Sequence, residues 1–212
     1  MKTAYHHGEL REALIGAARR LVGERGADGF SLADACRLAG VSTAAPYRHF
    51  ADKQAIVDEV VAQGFIDMTA RSRAAVAAFP PGAPERIQAV GQVYFTFAVE
   101  EPALFRLMFG QKHNVKVDDI VTVTGTTCFG FVLQEVIDFC ALNAIEGDAR
   151  LFAVQLWTMV HGAASLTIDG DYAKVAPDVS VAQVMAVGVD RLLFSRRPAE
   201  NRPSGAGGSE GC

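Results

Sequence analysis

The 212-residue sequence predicts an all-α protein of about nine helices. Two observations carry that expectation. Apolar residues recur at three–four spacing along almost the whole chain, and the short N-terminal segments are bracketed by polar caps and glycine stops. A third, the Pro/Gly-rich stretch Phe79 to Pro84, divides a small head from a longer helical body.

Taken in order, Leu10, Ala13, Leu14, Ala17, Ala18, Leu21 and Val22 form one stripe of an amphipathic helix that Gly26 ends. Ser31 opens a second helix, with Asp34 as its capping-box partner and Gly40 as its stop. Val41 packs inward, and Ser42 is the N-cap of a short third helix. Asp52 caps a fourth, expected over 52–78, whose apolar side carries Ile56, Val57, Val60, Val61, Gly64, Phe65 and Met68. Beyond the break five more helices are expected, at 84–100, 101–111, 117–143, 147–168 and 179–196. The stretch 117–133 is rich in Val, Thr and Phe, but Ile120, Val123, Thr124, Thr127 and Cys128 keep helical spacing. The tail 198–212 has nothing to bury and is expected to be disordered.

Composition narrows the class. No unbroken apolar run reaches the ~18 residues of a membrane span, and Glu9, Arg11 and Glu12 interrupt any signal-peptide core, so a cytoplasmic protein with no membrane partner is expected. Cys36, Cys128, Cys140 and Cys212 are scattered with no CxxC, which points to reduced thiols and no metal site; a thiol sensor built on Cys128 and Cys140 is the alternative. Net charge is −4, yet residues 1–54 hold eight Lys/Arg against six Asp/Glu. A mildly basic head on an acidic body suits local contact with an anionic polymer.

Two short helices joined by a glycine turn make a helix-turn-helix, and that explains the composition of Gly40 to Lys53. Its second helix must expose the face that enters a major groove, so large aliphatic residues are scarce there. Thr43, Ala44 and Ala45 are small enough for close approach and for thymine-methyl contact. Tyr47, His49 and Lys53 can reach phosphates, while Phe50 anchors the unit inward. The candidate DNA-contacting set is therefore Ser31, Ser42, Thr43, Ala44, Tyr47, His49 and Lys53. His49 has a second reading, as a residue that caps or packs within the head. His6 and His7 either reach DNA through the N-terminal lead or are disordered.

The run Phe30 to Phe65, FSLADACRLAGVSTAAPYRHFADKQAIVDEVVAQGF, resembles the DNA-binding domain of the TetR/AcrR family of bacterial transcriptional regulators. The preceding YHHGELREALIGAARRLVGERG is similar to that family's first helix. Trp157, His161 and Gly162, in LWTMVHGAASL, resemble a Trp-His-Gly signature of one class of its C-terminal domains. The resemblance implies a homodimer whose heads (1–54) sit on effector-binding and dimerisation bodies (79–197), with the last two helices of each body pairing. It also implies a double-stranded DNA operator and a small-molecule effector as partners.

Candidate pocket residues are Tyr94, Phe97, Phe105, Met108, Phe129, Leu133, Trp157 and His161, an apolar set of the kind that encloses small molecules. His161 has two readings, a hydrogen bond to ligand or a structural bond to a neighbouring backbone carbonyl. Candidate interface residues are Leu156, Val160, Ala164, Val184, Val187 and Arg191, on helices apolar on more than one face. Small Gly162, Ala163 and Ala164 are expected to let helices approach closely. No cofactor is expected. Gly207, Ser209 and Gly211 spell GxSxG in the tail without the strand–turn–helix that a nucleophile needs. The function expected is a dimeric repressor released from a pseudo-palindromic operator by an apolar effector. An activator, an effector-independent regulator and a protein–protein module are its rivals.

Overall fold

The structure, a computed structural model, describes residues 7–44, 46–110 and 119–194, and these are helical with no strand among them. The tail, Cys212 and the GxSxG triplet lie outside the described residues, as do His6 and the His7 side chain. Helix α1 (His7–Arg25) and α2 (Leu32–Ala39) pack together and against the long α3 (Lys53–Val76). The expected caps are present. Ser31 and Asp34 form a full capping box, and Gly40 closes α2 at φ 70°, a left-handed conformation that glycine adopts without strain. Asp52 accepts the Ala55 N–H at 2.9 Å to start α3.

The third helix differs from expectation. The chain after Ser42 makes a turn at Thr43 and Ala44, then a single 3-10 turn at Pro46–Arg48. Pro46 has no N–H to donate to the Ser42 carbonyl four residues back, so a regular helix running on from Ser42 would lack that bond. Pro46 is buried, and its carbonyl accepts from both His49 and Phe50 N–H at 2.8 Å.

The body comprises α4 (Pro84–Glu100), α5 (Pro102–Phe109), α6 (Ile120–Leu142), α7 (Ala149–Ile168), α8 (Asp171–Val175) and α9 (Val181–Phe194). Short α8 falls in a stretch expected to be a linker. It offsets the expected third helix, so nine α-helices are present among the described residues for a partly different reason. The Val/Thr-rich α6 is helical, its threonines returning hydroxyls to carbonyls one turn back, Thr124 to Ile120 and Thr127 to Val123. Along it Val123 and Thr127 are exposed, and Ile120, Val121, Gly125, Cys128 and Phe129 line the cavity. Both α6 and α7 are long and apolar enough to cross a bilayer by length and composition. Here α7 is a core helix, packed by α4, α6 and α9, and α6 packs on α3 and α7.

One apolar core runs without a break from the head (Leu14, Val22, Phe30, Ile56) into the body (Phe97, Phe105, Met108, Val160). A second fills the far end around Val136, Phe139, Phe152 and Leu193. Helix α3 belongs to both head and body. Helix α5 rides closely on it at Gly64, where an added Cβ would meet the Met108 sulfur at 2.7 Å.

Candidate functional site

At the head, Ser42, Thr43, Ala44, Tyr47 and Arg48 are exposed together just beyond α2, with Tyr47 68% accessible. The Ser31 hydroxyl is committed to its cap, donating to Asp34 Oδ2 at 2.6 Å and accepting the Asp34 N–H at 3.2 Å. His49 is half-buried beside Phe50, with ring centroids 6.4 Å apart. Lys53 sits at the edge of the unit, its ammonium 4.7 Å from the centre of the Phe30 ring and 3.4 Å from the Asp28 carbonyl. Beneath them Arg11 pairs with Glu59 and stacks over Phe50, which fixes α1 to the start of α3. The result is a rigid base with a patch of small, polar and aromatic groups on its outer surface.

The body encloses a cavity of about 1040 Å³ walled by α3, α4, α6, α7 and α9, with α5 along one side. Helices α3 and α6 run parallel through its wall. A Cβ at Gly125 would lie 3.4 Å from the Phe65 ring, and further along Arg73 lies 4.7 Å from the centre of the Phe131 ring. Of the expected pocket residues, Tyr94, Met108, Phe129 and Trp157 line the cavity. Phe97 and Phe105 are closed into the core and Leu133 packs on the far core, so these three are corrections. Sequence reasoning missed Val61, Phe65 and Met68 from α3, and Met185 and Val189 from α9. From the sequence Val61, Phe65 and Met68 read as the packing side of their helix, because helical spacing does not separate a cavity wall from a core.

His161 is also off the wall. Its Nδ1 lies 2.7 Å from the Tyr94 hydroxyl, which accepts the Trp157 Nε1–H at 3.2 Å. The Tyr94 oxygen accepts from tryptophan and its hydroxyl shares a hydrogen bond with His161 Nδ1, whose direction follows the imidazole tautomer. Burial pushes the histidine below its ordinary value and the tyrosine above its own, the Trp157 bond partly opposing the latter. Both shifts favour the neutral forms of the two side chains. The triad is a rivet between α4 and α7, and the partner of His161 in it is a side chain rather than the expected backbone carbonyl. Gly162 has open space around it, and the close approach occurs instead at Gly188 on α9, against the Met159 sulfur.

The rivet has a pH signature. A depressed histidine contributes stability that is complete above its unfolded value of about 6.5 and is lost as pH falls through the lower folded value. Thermal midpoints followed by circular dichroism should therefore drop as pH falls below about 6.5, and His161→Gln should flatten that step.

Cys128 lies on the cavity wall, its thiol raised by burial with a Thr69 hydroxyl contact partly opposing. Cys140 is twelve residues further along the same helix, about 18 Å at 1.5 Å per residue. The two cannot join within one protomer. Of the expected interface residues, Leu156, Val160 and Ala164 are buried in the protomer's own core, another correction. Val184, Val187 and Arg191 are exposed, and the apolar residues that α7 exposes are Leu151, Val154, Trp157 and Leu166.

Comparison with known proteins agrees with both halves. Residues 14–60 match the model for bacterial regulatory proteins of the tetR family, and 87–192 match the tetracyclin repressor-like C-terminal domain. No curated protein matches the chain. A solved protein of unknown function from Rhodococcus sp. RHA1 is similar at 31% identity and TM-score 0.80, covering 93% of this chain and 100% of that one. The TetR family transcriptional regulator PfmR from Thermus thermophilus shares the fold at 17% identity and TM-score 0.61, over 85% and 96% of the two chains. So does the transcriptional regulator FadR from Bacillus subtilis, solved with stearoyl-CoA, at 14% identity and TM-score 0.65, over 86% and 97%. With half its length matched by the C-terminal model and its head matched by the N-terminal one, the chain belongs to the tetR family of bacterial regulatory proteins.

Proposed function

We propose that the chain is a dimeric, cytoplasmic repressor that leaves a pseudo-palindromic operator when a small apolar molecule enters its body. The carrying observation is the apolar cavity, because one of its walls, α3, begins inside the head. A change in cavity shape therefore bears directly on the position of the DNA-reading surface. Residues 1–54 act as the DNA-binding unit, with Thr43, Ala44 and Tyr47 nearest the bases and Lys53 toward phosphate. Residues 79–197 act as sensor and dimer body rather than as a catalyst. The interface is formed by the outward faces of α7 and α9, through Leu151, Val154, Val184 and Val187, which are apolar and exposed.

A ligand shifts such an equilibrium only by its differential affinity for the two states. FadR from Bacillus subtilis, with stearoyl-CoA, supports the capacity of this fold to house a long apolar ligand. Selection from random DNA should recover a pseudo-palindrome with half-sites about one helical turn apart, roughly 34–36 Å. A single unpaired half-site would contradict the dimer, and no enrichment at all would contradict DNA reading.

A further inference from the structure

We propose that the cavity takes a ligand ending in an uncharged aromatic ring, which seats in a cradle of five aromatic side chains beside α5. This assignment rests on the effector reading above. Phe65, Tyr94, Phe109, Phe129 and Trp157 all line the cavity, one each from α3, α4, α5, α6 and α7. Their rings form an unbroken series. Centroids lie 5.6 Å apart for Phe65 and Phe109, 5.7 Å for Tyr94 and Phe109, 6.2 Å for Phe109 and Trp157, and 5.7 Å for Phe129 and Trp157. No pair in the series is stacked flat, the interplanar angles being 86°, 47°, 50° and 55°. Rings inclined to one another around a hollow offer it both edges and faces, which a further ring matches by edge-to-face or offset contact.

Free surface sets this group apart from the packed core. Phe97, Phe105, Phe139 and Phe152 are closed in, at 0–2% exposure. Phe109 and Phe129 are only half-buried and Trp157 is 38% accessible, although each lies against other rings. The polar atoms of the cradle are turned to one another. Trp157 Nε1–H donates to the Tyr94 hydroxyl, and that hydroxyl is hydrogen-bonded to His161 Nδ1. The cradle therefore meets a ligand with ring surface. Away from it the wall has an aliphatic stretch, with Ile87, Val90, Val132, Val136, Met159 and Val189. A chain attached to the ring lies against that stretch, which recognises apolar area without regard to ring chemistry.

The single tryptophan, Trp157, lines the cavity, so its emission reports occupancy. The full-length protein would be titrated with two matched series, n-alkanols from butanol to octanol ending in a phenyl ring and the same alkanols ending in cyclohexyl. Release of fluorescent operator would be followed in parallel. Cyclohexyl has the larger apolar area, so a wall that recognises area alone prefers it. The phenyl series should instead bind about tenfold more tightly at each chain length. Alkanols ending in trimethylammonium, which ring faces also attract, should bind more weakly than the phenyl series. Phe129→Leu removes one ring and keeps an apolar wall. It should cut phenyl affinity about fivefold and leave cyclohexyl affinity within about twofold. Should that variant not fold, the wild-type series alone decide.

Cyclohexyl compounds binding as tightly as phenyl ones, trimethylammonium compounds binding more tightly, or binding by no series would each overturn the ligand class. The two readings fail separately. Phenyl compounds that bind with the expected preference yet leave the operator bound would sink the effector role and keep the ligand class. Cyclohexyl compounds that bind more tightly and release operator would do the reverse.

Discussion

Replacing Arg19 with methionine is expected to separate ligand binding from operator release. Arg19 sits on α1 in the head and reaches two elements of the body. Its Nε and Nη2 bond both Glu101 oxygens at 2.8 and 2.6 Å, and its Nη1 pairs with Asp67 on α3. Glu101 is the hinge residue between α4 and α5, and α5 carries Met108 and Phe109 into the cavity wall. Hydrogen bonding to Glu101 is the main force holding the guanidinium charged, against the opposing effect of burial. A displacement of α5 by ligand therefore pulls on α1 through a bidentate contact of fixed geometry.

In the variant the methionine keeps the packing of the arginine stem and removes the fork. Ligand affinity read from Trp157 and operator affinity without ligand should both stay within about threefold of wild type. The ligand-induced loss of operator affinity, typically about 5–150-fold for coupled sites, should fall below about threefold. Thermal stability should drop by about 2 kcal/mol, because two part-buried carboxylates lose a charged donor. Unchanged coupling would mean that α3 alone carries the signal.

The largest stability effect is expected at Glu135. Its carboxylate and Arg86 form the least exposed ion pair among the described residues, at 8% and 17% side-chain exposure. Arg86 also donates to the Val76 and Phe79 carbonyls at 2.8 Å, so this one side chain closes the end of α3 and the turn that follows. Glu135→Ala leaves a part-buried guanidinium without its counter-charge. A part-buried loss of this kind costs about 2–3 kcal/mol, which for a chain of this length lowers the thermal midpoint by roughly 4–12 °C. Arg86→Met with Glu135→Leu removes both charges together and should recover at least half of that loss. If the single variant melts with wild type at equal protein concentration, the pair does not fasten this end of the body.

Much of the head was legible because its signals are local. Ser31 with Asp34, Gly40, and Asp52 before Lys53 act within four residues of one another, and each makes the cap its spacing announces. The helix boundaries at Pro84 and Pro102 were readable for the same reason. The short helix after Ser42 was over-read, since Pro46 lacks the N–H that would continue it. In the body, helical spacing predicted elements and not faces. Val123 and Cys128 keep the same helical rhythm, yet Cys128 lines the cavity and Val123 is exposed.

Leu156, Val160 and Ala164 are apolar in the same way as Leu151 and Val154, and only the neighbours of α7 decide which set is buried. Arg86 meets Glu135 across 49 residues and Arg19 meets Glu101 across 82, pairings that no single-sequence pattern contains. His161 shows the same limit. One turn after Trp157 it shares that residue's side of α7, but its partner, Tyr94, stands on another helix.

Whether the exposed patch around Thr43 and Tyr47 reads a DNA sequence is tested by a salt titration. The protein is titrated against the selected operator and against a scrambled duplex of equal length. Affinity for both should fall steeply as salt rises, through release of counterions, while the operator keeps an advantage of about 10³-fold or more. Equal affinity for the two duplexes at every salt concentration would mean that the patch reads no sequence.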